Sequence, residues 1–234
     1  MTTTETLSIA ATDGGAFSAH VVRPDGGGGP AVLVLQEIFG VNVYIRDVCQ
    51  RIAALGYVAV APDMFWRIRP GVDLSTFDQG DLETGIGLAG QFDPALGIAD
   101  LRVALDAARG LSSTGKVGIV GFCFGGTFAF LAAANLQPDA AVSYYGSGVA
   151  SAIDQLANVT CPLQFHFGGS DPYIPNADVD TIASAIAGHP GAELHVQTGG
   201  GHAFDNSYSG MFSHPESAAA AWALTTAFLG KHLG

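Results

Sequence analysis

Positive charge is scarce in this chain: nine Lys and Arg stand against 21 Asp and Glu, a net charge of −12. Such a surface offers no basic patch to a phosphate backbone, which argues against nucleic acid and against anionic membrane surfaces as partners. Charge of either sign is sparse as well. At 13% charged and 48% hydrophobic residues, the composition suits a compact chain with a buried sheet rather than a disordered one. Cysteine is limited to Cys49, Cys123 and Cys161, an odd number at unrelated spacings, so neither a zinc pattern nor a disulfide framework is present. No metal or cofactor is expected. The opening residues Met1-Thr2-Thr3-Thr4-Glu5 lack the basic and apolar regions of a signal peptide, which makes a reducing cytoplasm the expectation. The charge-free run 117–134 holds four glycines and a turn, a pattern for a buried strand and helix rather than a membrane span.

What is present is an alternation of two periods. Apolar runs at 31–35, 57–61, 116–121, 140–145, 162–167 and 193–198 read as strands, several of them continuously hydrophobic, as in a parallel sheet covered on both faces. Helical spacing occupies 44–55, stopped by Gly56, then 94–109 after Asp93-Pro94, 125–135, and 176–187 with Asn176 as the cap. Ser213-His214-Pro215-Glu216 has the form of a capping box opening a last helix. A strand pair is expected around Asp13-Gly14-Gly15. Residues 71–92 are poorly patterned and read as short helices or an excursion over a site. No repeat or linker divides residues 1–234, so one α/β domain with a mostly parallel sheet and helices on both faces is expected.

The most informative stretch is Gly121-Phe122-Cys123-Phe124-Gly125-Gly126, entered from an apolar strand and leaving into an alanine-rich helix. A strained strand-to-helix turn needs small neighbours, and the side chain at its apex projects above the sheet beside a helix N-terminus. This is the nucleophile elbow of α/β-hydrolases with cysteine in the serine position. The plain alternative is a buried structural thiol in a glycine-rich turn. Two further strand ends weigh against that alternative: Gly168-Gly169-Ser170-Asp171 and Gly199-Gly200-Gly201-His202. The order nucleophile, acid, histidine matches that fold, and in a parallel sheet these positions share one edge. His202 would take the Cys123 proton, and Asp171 would fix the imidazole tautomer. His166, inside a strand, reads as a core residue.

An oxyanion needs two N–H donors. Phe124, after the nucleophile, supplies one, and Ile38, after the first central strand, is placed for the other. Glu37 leaves that same strand end as a solvated loop acid, a partner of Arg46, or a carboxylate that holds the resting thiol. Tyr145, Phe204, Trp66, Arg67 and Arg69 are the candidates for a substrate pocket.

Gln36-Glu37-Ile38-Phe39-Gly40-Val41-Asn42, Pro62-Asp63, Gly118 to Gly126, Tyr144-Tyr145-Gly146, Gly168 to Asp171 and Gly201-His202 together resemble the dienelactone hydrolase (carboxymethylenebutenolidase) family over nearly the whole chain. The resemblance implies enol-lactone hydrolysis by a Cys-His-Asp triad, with a strand-end glutamate that interacts with the resting thiol. Those roles fall on Cys123, His202, Asp171 and Glu37. There is one departure. The family binds its substrate carboxylate with two arginines, but residues 71–101 contain no Arg or Lys, and His202 is followed by Ala203-Phe204-Asp205-Asn206. Neither Asp nor Asn can replace a guanidinium fork. The expected substrate is therefore an uncharged small-molecule ester or lactone, handled by a monomer rather than an obligate oligomer. The alternatives are a thioesterase or general carboxylesterase with the same triad, or a non-catalytic receptor on this fold.

Overall fold

A computed structural model describes residues 1–234. Eight strands form one sheet in the order β1-β2-β4-β3-β5-β6-β7-β8. They are β1 (Thr3–Ala10), β2 (Ala16–Arg23), β3 (Ala31–Leu35), β4 (Val58–Pro62), β5 (Val117–Phe122), β6 (Ala140–Tyr144), β7 (Leu163–Gly168) and β8 (Ala192–Gln197). β1 and β2 pair antiparallel around the expected turn, β2 runs antiparallel to β4, and the remaining pairs are parallel. Six α-helices connect or flank them: α1 (Val43–Ala54), α2 (Gln79–Gln91), α3 (Pro94–Leu111), α4 (Phe124–Leu136), α5 (Asn176–Ile186) and α6 (Pro215–Leu233).

The unbroken apolar runs of β3, β4 and β5 follow from burial on both faces. Val32 and Val34 join the core that holds Ile45, Val48 and Ile52 of α1 and Phe228 and Leu229 of α6. Leu33 and Leu35 point the other way, into the core with Leu101 and Leu105 of α3. Each of these fully buried aliphatic side chains contributes about 1.5–3 kcal/mol relative to exposure.

Three local expectations need correction. The last helix is capped by His214, whose Nδ1 accepts the Ser217 N–H at 3.3 Å, and not by Ser213; Pro215 then occupies the first turn, where its missing donor costs nothing. Helix α5 follows Pro175 with no side-chain cap, so Asn176 lies inside the helix instead of capping it. Residues 71–92 contain one continuous helix, α2, started by the Asp78 carboxylate accepting from Asp81 N–H. Its pattern is weak because only Gly85 and Leu88 are buried. Gly85 lies so close to the Ile38 carbonyl that a Cβ would come within 2.7 Å of the oxygen, and that contact brings α2 down beside the β3 edge. A nine-residue 3-10 segment, Ala150–Asn158, has no counterpart in the sequence reading.

Candidate active site

The parallel strands end on one edge, and the three chemically competent residues meet there. Cys123 sits between β5 and α4 with φ +53°, ψ −111°, a left-handed conformation that disfavours any side chain. The turn closes because Gly121 and Gly125 lack side chains: a Cβ on Gly121 would run into the Gly125 carbonyl, and one on Gly125 into that of Leu35. His202 Nε2 lies 3.0 Å from Cys123 Sγ, and His202 Nδ1 lies 2.8 Å from Asp171 Oδ2. The other Asp171 oxygen accepts the Tyr173 N–H at 2.8 Å, and the carboxylate has no exposed surface. Burial pushes the His202 imidazole down, but the Cys123 sulfur and the Asp171 hydrogen bond outweigh it and hold the ring up at about 10.

Strain gathers here. Of four non-glycine residues with positive φ, Cys123, Tyr145 and Ala203 stand at this site. Two anchors, neither visible in the sequence, hold the His202 loop. Asp205, fully buried, takes two hydrogen bonds from Arg51 at 2.8 and 3.2 Å and one from the Tyr44 hydroxyl at 2.8 Å. Asn206 Nδ2 donates to Glu37 Oε2 at 2.8 Å.

That second anchor decides among the readings of Glu37. The residue is 2% exposed, so it is no solvated loop acid, and Arg46 pairs with Asp73 instead. Nor does it bond the thiol, which faces His202. Burial drives the Glu37 carboxyl up to about 7, against the opposing Asn206 hydrogen bond, and its Oε1 has no partner. The backbone N–H groups of Ile38 and Phe124 donate to no other group of the chain. Both residues stand beside Cys123, Ile38 in the wall of its cavity and Phe124 next in the chain at the start of α4.

A cavity of about 220 Å³ opens over Cys123, walled by Ile38, Phe39, Leu82, Ile86, Tyr173 and Phe212. Its ionisable residues are Glu37, Cys123, Tyr173 and His202, and it contains no Arg or Lys. The five expected pocket residues do not line it. Tyr145 is fully buried beneath the site, its ring against His202 at 5.4 Å and its hydroxyl 3.2 Å from that of Tyr44. Phe204 is buried behind Tyr145. Trp66 stacks on Phe17 and donates to Asp100. Arg67 forks onto that same Asp100, drawn away from the cavity by two bonds of 2.7 and 2.8 Å, and Arg69 is exposed. The true walls come from α2 and from loops whose apolar residues show no strong period. His166 is a core residue, as read: its ring is buried between Gln164, Thr225 and Gln197.

A mostly parallel sheet, an elbow with positive φ and an acid–histidine pair at the same edge define an α/β-hydrolase. Comparison with known proteins makes this specific. The model of the dienelactone hydrolase family matches residues 17–233, and the chain belongs to that family. A carboxymethylenebutenolidase of Pseudomonas putida is 38% identical over 86% of both chains, and one from Pseudomonas sp. strain P51 is 35% identical over 97% of this chain and 95% of its own. A solved structure from Klebsiella pneumoniae, assigned as a dienelactone hydrolase, is 30% identical and superposes with a TM-score of 0.83 over 99% of both chains. The protein is a hydrolase of ester or lactone bonds. No helix is long and apolar enough to cross a membrane.

Proposed function

We propose that hydrolysis proceeds through Cys123 as nucleophile, with an acyl thioester as intermediate. His202 takes the thiol proton, and the sulfur attacks the carbonyl carbon. The resulting oxyanion sits between the N–H groups of Ile38 and Phe124, and collapse expels the alkoxide, which His202 protonates. Water then attacks the thioester with His202 as base, releasing the acid and restoring the thiol. Asp171 holds the ring in the tautomer that serves both steps. The observation that carries this is the unbroken line Asp171–His202–Cys123, at 2.8 and 3.0 Å, beneath an apolar cavity.

Uncharged esters or lactones fit this site better than carboxylated ones. The cavity offers no Arg or Lys, and position 206, shortly after the histidine, carries a neutral amide committed to Glu37. Glu37 serves as a carboxyl beside the catalytic pair that sets its charge near neutral pH. The test is turnover of p-nitrophenyl acetate with and without iodoacetamide, followed by a panel of neutral and anionic lactones. Turnover abolished by alkylation and higher kcat/KM on neutral substrates are expected. A dienelactone carboxylate preferred over neutral aryl esters would overturn the substrate assignment, and alkylation without effect would overturn the nucleophile.

A further inference from the structure

Beyond the cavity over Cys123 lies a second one, of about 350 Å³, and the two share Tyr173, His202 and Phe212 as a common wall. The two halves differ in chemistry. The first holds the sulfur, Ile38 and the aliphatic residues of α2. The second lacks these and is lined instead by Ser170, Ser213, His214, Met211 and the backbone of Gly199 and Gly201. His214 accepts the Ser217 N–H through Nδ1, so its neutral ring carries the proton on Nε2. That nitrogen borders Gly199, where a Cβ would stand 3.2 Å from it. The second cavity thus has an imidazole and two serines in its lining, where the first is mostly hydrocarbon with Glu37 and Ser147 as its own polar residues.

His202 decides which arm of a substrate enters which half. It stands on the border, and in the mechanism above it gives its proton to the departing oxygen, so the alcohol must leave on the His202 side. The acyl group then extends from the carbonyl carbon into the cavity that holds the sulfur. Resting on the hydrolase reading above, we infer that the cleft bounded by Ser170, Ser213 and His214 is a subsite for the leaving alcohol, and that it takes uncharged acyclic esters whose acyl arm is apolar and whose alcohol arm carries ether or hydroxyl oxygens. In the acylation step the Cys123 S–C bond forms, the ester C–O bond breaks, and the alkoxide takes the proton from His202 Nε2. A small lactone ties both arms into one ring and cannot extend into both cavities, so such esters are turned over more efficiently than lactones of equal reactivity.

The test compares butyrate esters of methanol, n-heptanol and 2-(2-methoxyethoxy)ethanol. All three pass through the same butyryl thioester, so differences in kcat/KM report the alcohol side alone. The glycol ether ester is expected to exceed the methyl ester by about tenfold. Ser213→Trp or the more exposed Met211→Trp should bring that ratio close to one. Ile86→Trp, on the opposite wall, should change the dependence on acyl length and leave the alcohol ratio in place. Equal kcat/KM for the three esters, or a ratio that neither tryptophan in the cleft moves, overturns the subsite while the hydrolase reading stands. No iodoacetamide-sensitive turnover of any ester overturns both.

Discussion

The floor and the walls of this site are built differently. The floor consists of Cys123, His202 and Asp171 at the ends of parallel strands, held by a strained elbow, a buried carboxylate and the Asp205 and Asn206 anchors. The walls consist of α2 and the loops around Tyr173 and residues 208–212, where some apolar side chains stand in solvent: Ile86 is 58% and Met211 74% exposed. Chemistry needs reacting atoms fixed to within a fraction of an ångström, and the sheet supplies that rigidity. Selectivity needs only surface of suitable shape and polarity, which loops supply and can vary without disturbing the floor.

If that division holds, substitutions should grade from severe on the floor to mild on the walls. The largest effect is expected for His202→Ala, which removes the proposed proton acceptor and should lower kcat for p-nitrophenyl acetate on the order of 10⁴-fold in steady-state assays. Next is Asp205→Ala. It removes the ion-pair partner of the part-buried Arg51 guanidinium and one of the two partners of the Tyr44 hydroxyl, and urea unfolding should show a loss of about 2–3 kcal/mol.

Glu37→Gln should act in the opposite direction on stability. A carboxyl raised from 4.5 to about 7 in the folded state binds its proton more tightly there than when unfolded. Stability therefore falls as pH rises from about 4.5 to 7, by about 3 kcal/mol in all. The glutamine removes that cost, so the variant should be more stable than wild type at pH 8 and nearly equal at pH 4. A gain of equal size at both pH values would show that the carboxyl titrates normally. The smallest effect is expected for Ile86→Ala on the wall. KM for a butyrate ester should rise a few-fold, by about 1 kcal/mol of lost apolar contact, with unfolding free energy unchanged within about 0.5 kcal/mol. A wall substitution as damaging as Asp205→Ala would break the distinction.

The same division explains what the sequence revealed. Each floor residue announces itself, because a strand end must be followed by glycines or a tight turn and the reactive side chain falls at a fixed offset: Cys123 after Gly121, Asp171 after Gly168-Gly169, His202 after three glycines. The central strands were legible because burial on both faces demands unbroken hydrocarbon. The walls left no such trace. Leu82 and Ile86 lie on a helix held down by Leu88 and by the bare Gly85 on the Ile38 carbonyl, the latter a contact that no period encodes. Arg67 follows a strand end in sequence yet turns away, because Asp100, 33 positions later, captures it. Glu37–Asn206 and Arg51–Asp205 span separations of 169 and 154 residues, and such pairings appear only once the strands are in register.

The most direct measurement is intact-protein and peptide mass spectrometry after rapid mixing with p-nitrophenyl butyrate, quenched in acid before steady state. The chain should gain one butyryl group, lost on exposure to hydroxylamine and localised to the peptide containing Cys123, and Cys123→Ala should show neither adduct nor turnover. Turnover that persists in Cys123→Ala, or an acyl group found on any other residue, would contradict the account.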